Sequence, residues 1–218
     1  MARKKEWREG EMILTFKLKK IGESYTDLME EWLSVSNPKF NTVEQGIFES
    51  LLHKALKVSA WSEENLKMKY ISPILELGQV LDSDNFVSFF DKSLESEVQG
   101  YKLSVKVDFT IGSGLLDYME TPYFHFQEYK PQKNPTGDPM AQLLEAFLIA
   151  QEKNKATGKI VPLYGAEIIG KNWTFITMEA NEYCVSKSLD STDEEDLLKI
   201  IAILRKFREI LETKLLNT

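Results

Sequence analysis

Cysteine is nearly absent from this chain: Cys184 stands alone among 218 residues, and one thiol cannot close an internal disulfide. Histidine is almost as scarce, with only His53 and His125. A structural zinc centre wants four Cys or His ligands, so these scattered residues exclude one. Any catalytic metal must then be held by oxygen, which selects magnesium, manganese or calcium. No run approaches the roughly 18 consecutive apolar residues of a membrane helix. Met1–Gly10 mixes Arg, Lys and Glu where a secretory leader carries an apolar stretch. No membrane partner is expected, and the chain reads as cytoplasmic. Internal repeats, low-complexity tracts and long Pro/Gly/Ser linkers are missing too, so residues 1–218 read as one domain. The phosphate-cradling loops GxxxxGKS/T and GxGxxG do not occur either, which removes the nucleotide-using enzymes that depend on them.

What is present suits a globular protein with a substantial core: 43% of residues are hydrophobic and 28% charged. The net charge of −7 argues mildly against a nucleic-acid partner, but binding depends on local potential rather than on the sum. Residues 1–20 hold Arg3, Lys4, Lys5, Arg8, Lys17, Lys19 and Lys20 against Glu6, Glu9 and Glu11. An acidic run, Asp193 to Asp196, opens the last helix, where negative charge suits the helix N-terminus.

The first third reads as a helical extension over about 1–58. Glu44 to Val58 places Ile47, Phe48, Leu51, Leu52, Ala55 and Leu56 on one stripe. Ser62, ahead of Glu63 and Glu64, caps another helix through about Tyr70, which Pro73 would kink or end. The period then changes. Tyr101–Ile111 alternates with Leu103, Val105, Val107 and Phe109 on one face. Tyr123–Lys130 is a second strand, joined to the first by GSGLLDYMETP. Asp138-Pro139 starts a helix to about Lys155. Strands around 161–169 and 173–178 follow, then a helix over about Asp193–Leu216. The pattern is α/β, a mixed sheet of about four to five strands flanked by helices, with 138–155 as a crossover and the core at about 60–180.

One constellation carries chemistry. Residues two apart on a strand share a face, so Glu128 and Lys130 emerge together. If the two strands pair, Asp108 lies near Glu128. Carboxylate oxygens hold a divalent cation, which activates water and neutralises charge on a phosphate, and a nearby ammonium orients that water. Asp/Glu-x-Lys occurs only at Glu128–Lys130 and Glu212–Lys214, and the second pair lies in a helix, where two residues apart do not share a face. Phe124 and Phe126 precede Glu128 on its face, so the charged pair continues a row that reads as buried, where charges need a partner or a metal. His125 faces the other way and reads as packing. Trp7, Trp32, Trp61 and Trp173 are too dispersed for a base-stacking platform and read as core.

The order helix-Glu, strand-Asp, strand-Glu-x-Lys, helix-Gln resembles the PD-(D/E)XK, or restriction-endonuclease-like, nuclease superfamily over about residues 60–180. Ser62–Pro73 is similar to a helix in the nuclease domains of type I restriction subunits, here without the motor that follows it there. Val107 stands where the superfamily's name has Pro. The resemblance implies a magnesium- or manganese-dependent DNA nuclease with a role in restriction, defence or repair. It implies Asp108, Glu128 and the backbone carbonyl of Tyr129 as metal ligands, and Lys130 acting on the attacking water. It adds Glu63, with Glu64 one residue away as the alternative, to the metal site, and Gln142 beside the substrate. With no appended sequence-reading module, specificity would come from loops, a homodimer with two sites, or a protein partner. The competing reading is a catalytically inactive nuclease-fold protein that binds nucleic acid or protein.

Overall fold

A parallel crossover and a long antiparallel hairpin set the architecture of the chain. The computed structural model describes residues 6–81, 83–115, 118–133 and 135–216. Arg3, Lys4 and Lys5 of the basic N-terminal run, and Leu116 and Asp117 of the expected hairpin connection, lie outside the described residues. The elements run α1 (Glu9–Phe16), β1 (Lys19–Ile21), α2 (Asp27–Leu33), α3 (Thr42–Lys54), α4 (Glu63–Leu66), α5 (Ser72–Leu77), β2 (Val87–Val98), β3 (Tyr101–Leu115) and β4 (Tyr118–Lys130). There follow α6 (Pro139–Ala156), β5 (Leu163–Ile169), β6 (Asn172–Glu179), β7 (Glu182–Val185), β8 (Leu189–Asp190) and α7 (Glu194–Ile210).

The strands form one mixed sheet in the order β1-β7-β6-β5-β4-β3-β2, with β8 beside β6. β4–β5 and β1–β7 are parallel and the other pairs antiparallel. The α/β reading with flanking helices therefore stands, and α6 is the crossover from β4 to β5. The sheet has eight strands among the described residues, not four to five. β1, β7 and β8, at three, four and two residues, are too short to show a period. β2 hides because Asp91, Lys92, Glu95 and Glu97 interrupt its apolar positions. β1 also corrects the reading of the first third as wholly helical, since it closes the sheet beside β7.

Local chemistry explains the helix ends. Asp138 Oδ1 accepts from Ala141 N at 3.0 Å, with Pro139 at the first helical position. Asp193 does the same for Asp196 N at 3.0 Å. Ser62 accepts from Asn65 N at 3.4 Å to start α4. That helix does not end at Pro73. It widens into a π turn at Lys67–Ile71 and continues as α5, so Pro73, which has no N–H to donate, falls where the wider turn has already reset the ladder.

The sheet separates two cores. One, towards α7 and the N-terminal helices, holds Trp32, Phe109, Phe124, Tyr129, Trp173 and Phe207. The other, under α6 and α1, holds Val105, Val107, Phe126, Phe147 and Ile149. Trp7, Trp32 and Trp173 are buried and Trp61 half-buried, with Trp32 Nε1 donating to Ile203 O at 2.9 Å.

Two rows expected to be continuous are broken. On β4 the register slips between Ile111↔His125 and Gly112↔Tyr123, so Phe124 is the extra residue of a bulge. Its side chain joins the α7-side core, while Phe126 stays with α6 on the face of Glu128. Asn154 of α6 secures the bulge, accepting from Tyr123 N at 2.8 Å and donating to Tyr123 O at 2.9 Å. On β3, Leu103, Val105 and Val107 face α6 but Phe109 and Ile111 face α7. The β2–β3 ladder skips the position where Asp91 and Asp108 would pair, and Asp91 is left-handed at φ 58°, so the alternation resets there.

Candidate active site

Asp108 sits where two strands part company. The β3–β4 ladder ends at Phe109↔Gln127. One position further, Asp108 Oδ2 accepts from Tyr129 N at 2.8 Å, so a side chain takes the place of the next main-chain partner. Beyond this point β3 runs on beside β2 and β4 beside β5, which opens a fork in the sheet. In a strand the N–H and C=O of one residue point to the same side. Tyr129 C=O therefore also faces the fork, whereas Lys130 O points the other way and accepts from Gly170 N at 2.8 Å.

Glu128 and Lys130 project on the α6 face, as the strand period requires. Both are buried, at 2% and 7% exposure, and Lys130 Nζ donates to Glu128 Oε1 at 2.6 Å. Glu128 Oε2 is buried with no hydrogen-bond partner among the described residues. Burial, reinforced by the negative charge of Asp108, outweighs the attraction of Lys130 and pushes the Glu128 pKa up to about 7. Lys130 and Gln142 line one cleft of about 450 Å³ together with Arg8, Gly137 and Glu145. The helix start at Asp138-Pro139 thus carries Gln142 to the same opening as Lys130.

Glu63, the first residue of α4, is half-buried, and Glu64 beside it is exposed. The pKa of Glu63 is raised by burial and by Asp108, against the pull of Lys130 and Lys67. Glu63 therefore feels the fork. The three carboxylates sense one another without converging: among the described residues, no three His, Cys, Asp or Glu side chains are grouped to hold one ion.

Two further residues complete the charge pattern, and neither was singled out on sequence. Lys67 Nζ lies 2.9 Å from Asp108 Oδ1 and 3.0 Å from Asp91 Oδ1, and 5.6 Å from the centre of the Tyr129 ring. Burial works against the Lys67 ammonium, but its bonds to Asp108 and Asp91 prevail and raise its pKa. Asp91 is held low in turn by Lys67 and Lys106, which overcome its partial burial. Lys67 carried a signal, lying one turn beyond Glu63 on the same helical face. Asp91 carried none, because only the β2–β3 register brings it opposite Asp108.

On the α7 side of β4, His125 is wholly buried against Trp32, Phe109 and Phe207. Burial drives its pKa down to about 3. Gln127 Nε2 meets His125 Nε2 at 2.9 Å, and Tyr129 Oη donates to Gln127 Oε1 at 2.7 Å. His125 is thus a packed core residue facing away from Glu128.

No known family model matches the chain, and no curated protein matches it. No helix of the described residues is long and apolar enough to cross a membrane.

Proposed function

We propose that this chain is a metal-dependent phosphodiester hydrolase acting on DNA, built on a restriction-endonuclease-like core. The observation that carries the proposal is the buried carboxylate of Glu128. One of its oxygens is paired with Lys130 and the other has no hydrogen-bond partner among the described residues. A buried carboxylate oxygen without a partner is costly unless a proton or a cation meets it. The candidate donors are all hard oxygens, namely Asp108, Glu128 and the fork-facing carbonyl of Tyr129. They fit magnesium or manganese rather than a softer metal.

Such an ion, when bound, lowers the pKa of a water and offsets the charge that builds on the phosphate. Asp108 and Glu128 would hold it, with Glu63 adding negative charge from the helical side. Lys130, released in part from Glu128, orients the attacking water and stabilises the oxygen charge of the transition state. Gln142, on the wall of the same cleft, orients the substrate. Water attacks phosphorus and gives up a proton to solvent as the bond to the leaving oxygen breaks, in one step without a covalent intermediate. The leaving oxygen ends protonated by solvent.

A second reading has an observation of its own. The ungrouped carboxylates and the closed Lys130–Glu128 pair favour a catalytically inactive nuclease-fold protein that binds nucleic acid or a protein. One experiment separates the two. Plasmid and single-stranded DNA are incubated with the wild type and with Lys130→Ala in magnesium, with circular dichroism to verify folding. Cleavage lost in the folded variant supports the hydrolase. Equal cleavage by both, or none by either alongside DNA retention in a gel shift, supports the binding protein.

A further inference from the structure

Lys67 touches Asp108 from outside the sheet, and no step proposed above employs it. Its side chain is 13% exposed, and it leaves the helical run where the π turn begins. Its ammonium is shared between a buried carboxylate, Asp108, and one that is half open to solvent, Asp91 at 50% side-chain exposure. Asp91 reaches it from a left-handed backbone, φ 58°, at the skipped ladder position. Aspartate enters that region of backbone space more readily than most non-glycine residues. Here the side chain supplies a second seat for the Lys67 ammonium.

Resting on the metal-site reading, we propose that Lys67 is a displaceable counter-ion that neutralises Asp108 until a divalent cation binds, then moves wholly onto Asp91. A magnesium ion approaches its oxygens to roughly 2.1 Å. An ammonium kept on the same carboxylate would face two units of like charge at short range in a poorly screened pocket. The bond to Asp91 already exists, at 3.0 Å, so the shift breaks one contact and keeps the charge paired. Four rotatable carbons give the stem its reach. Lys67 is a positioning residue in this scheme. It acts through Asp108 and tunes how readily the site takes its cation.

The test is Mn²⁺ binding by the full chain, read from the electron paramagnetic resonance of free ion, with circular dichroism on every variant. Lys67→Met, which removes the competitor and keeps the stem, is expected to bind Mn²⁺ about tenfold more tightly than the wild type, and Asp91→Asn about fivefold more weakly. In the double variant the Asp91 effect should vanish, because in this scheme its carboxylate reaches the site by receiving Lys67, while its other partner, Lys106 at 3.4 Å, forms a solvent-exposed pair of little weight. An unchanged or weaker affinity in Lys67→Met overturns the inference, and so does an Asp91→Asn loss that persists in the double variant. If Lys67→Met does not fold, an unchanged affinity in Asp91→Asn alone overturns it. The metal-site reading fails separately, and takes this inference with it, if the wild type binds no Mn²⁺ or Asp108→Asn binds it equally well.

Discussion

The two faces of β4 bury comparable amounts of polar chemistry and treat it in opposite ways. Towards α7, the row His125, Gln127 and Tyr129 forms a chain of hydrogen bonds enclosed by Trp32, Phe109 and Phe207. Towards α6, Glu128 pairs with Lys130, which lines a cleft of about 450 Å³, and the other carboxylate oxygen of Glu128 has no hydrogen-bond partner among the described residues. The first row is enclosed and neutral, although His125 Nδ1 has no hydrogen-bond partner among the described residues. The second is charged, and its Lys130 lines an opening. Side chains of similar polarity thus lie under a packing surface on one side of the strand and beside an opening on the other.

The sharpest way to break that contrast is to disable the open face alone. Lys130→Met should lower magnesium-dependent DNA cleavage on the order of 10³-fold, as loss of one charge-stabilising donor does elsewhere. Its melting transition should change little, because Glu128, with a pKa near 7, can take up a proton to remain buried. A large fall in melting temperature with unchanged cleavage would reverse the roles assigned to the two rows. Disabling the closed face should do the opposite. Gln127→Met strands both Tyr129 Oη and His125 Nε2, and should cost about 2–3 kcal/mol in urea unfolding while the rate per folded molecule stays within threefold.

The closed face should also show itself in pH. His125 is held neutral, with its pKa down near 3 against an ordinary 6.5. Above pH 6.5 both folded and unfolded chains carry it uncharged, and it costs nothing. Below that, the unfolded chain binds a proton that the folded chain refuses, so stability falls as pH drops from 6.5 towards 3. At pH 5 the loss amounts to about 2 kcal/mol. His125→Leu should remove this part of the acid sensitivity. The wild-type-minus-variant difference isolates it from Glu128, whose raised pKa works in the other direction. Equal acid sensitivity in the two proteins would mean that His125 is not sealed. The smallest effect belongs to neither face: Lys206→Ala breaks a surface pair with Glu209 and should change stability by less than about 0.5 kcal/mol.

How much of this was legible beforehand follows the range of the forces involved. The start of α6 could be read because Asp138 and Pro139 act on their own helix. The alternation of Tyr101–Ile111 and Tyr123–Lys130 gave two strands, and the shared face of Glu128, Lys130 and Phe126 followed from a period of two. Phe124 was placed on the wrong side because the bulge depends on where β3 stops matching β4, which no local pattern records. The same holds for the reset at Asp91 and Asp108, and for β1, whose three residues become a strand only beside β7. The convergence of Lys67, Asp91 and Asp108 combines a helix, a hairpin register and a skipped pair. Each is decided by contacts distant in sequence.

Asp108 is a wedge as well as a ligand candidate. By capturing Tyr129 N–H it keeps β3 and β4 from zipping one step further. An alanine there would remove the charge and also release the main chain to close the gap between β3 and β4. Asparagine retains an acceptor for that N–H and leaves the aperture open. Only the second change reports on electrostatics alone, so contour and charge at this junction have to be varied separately.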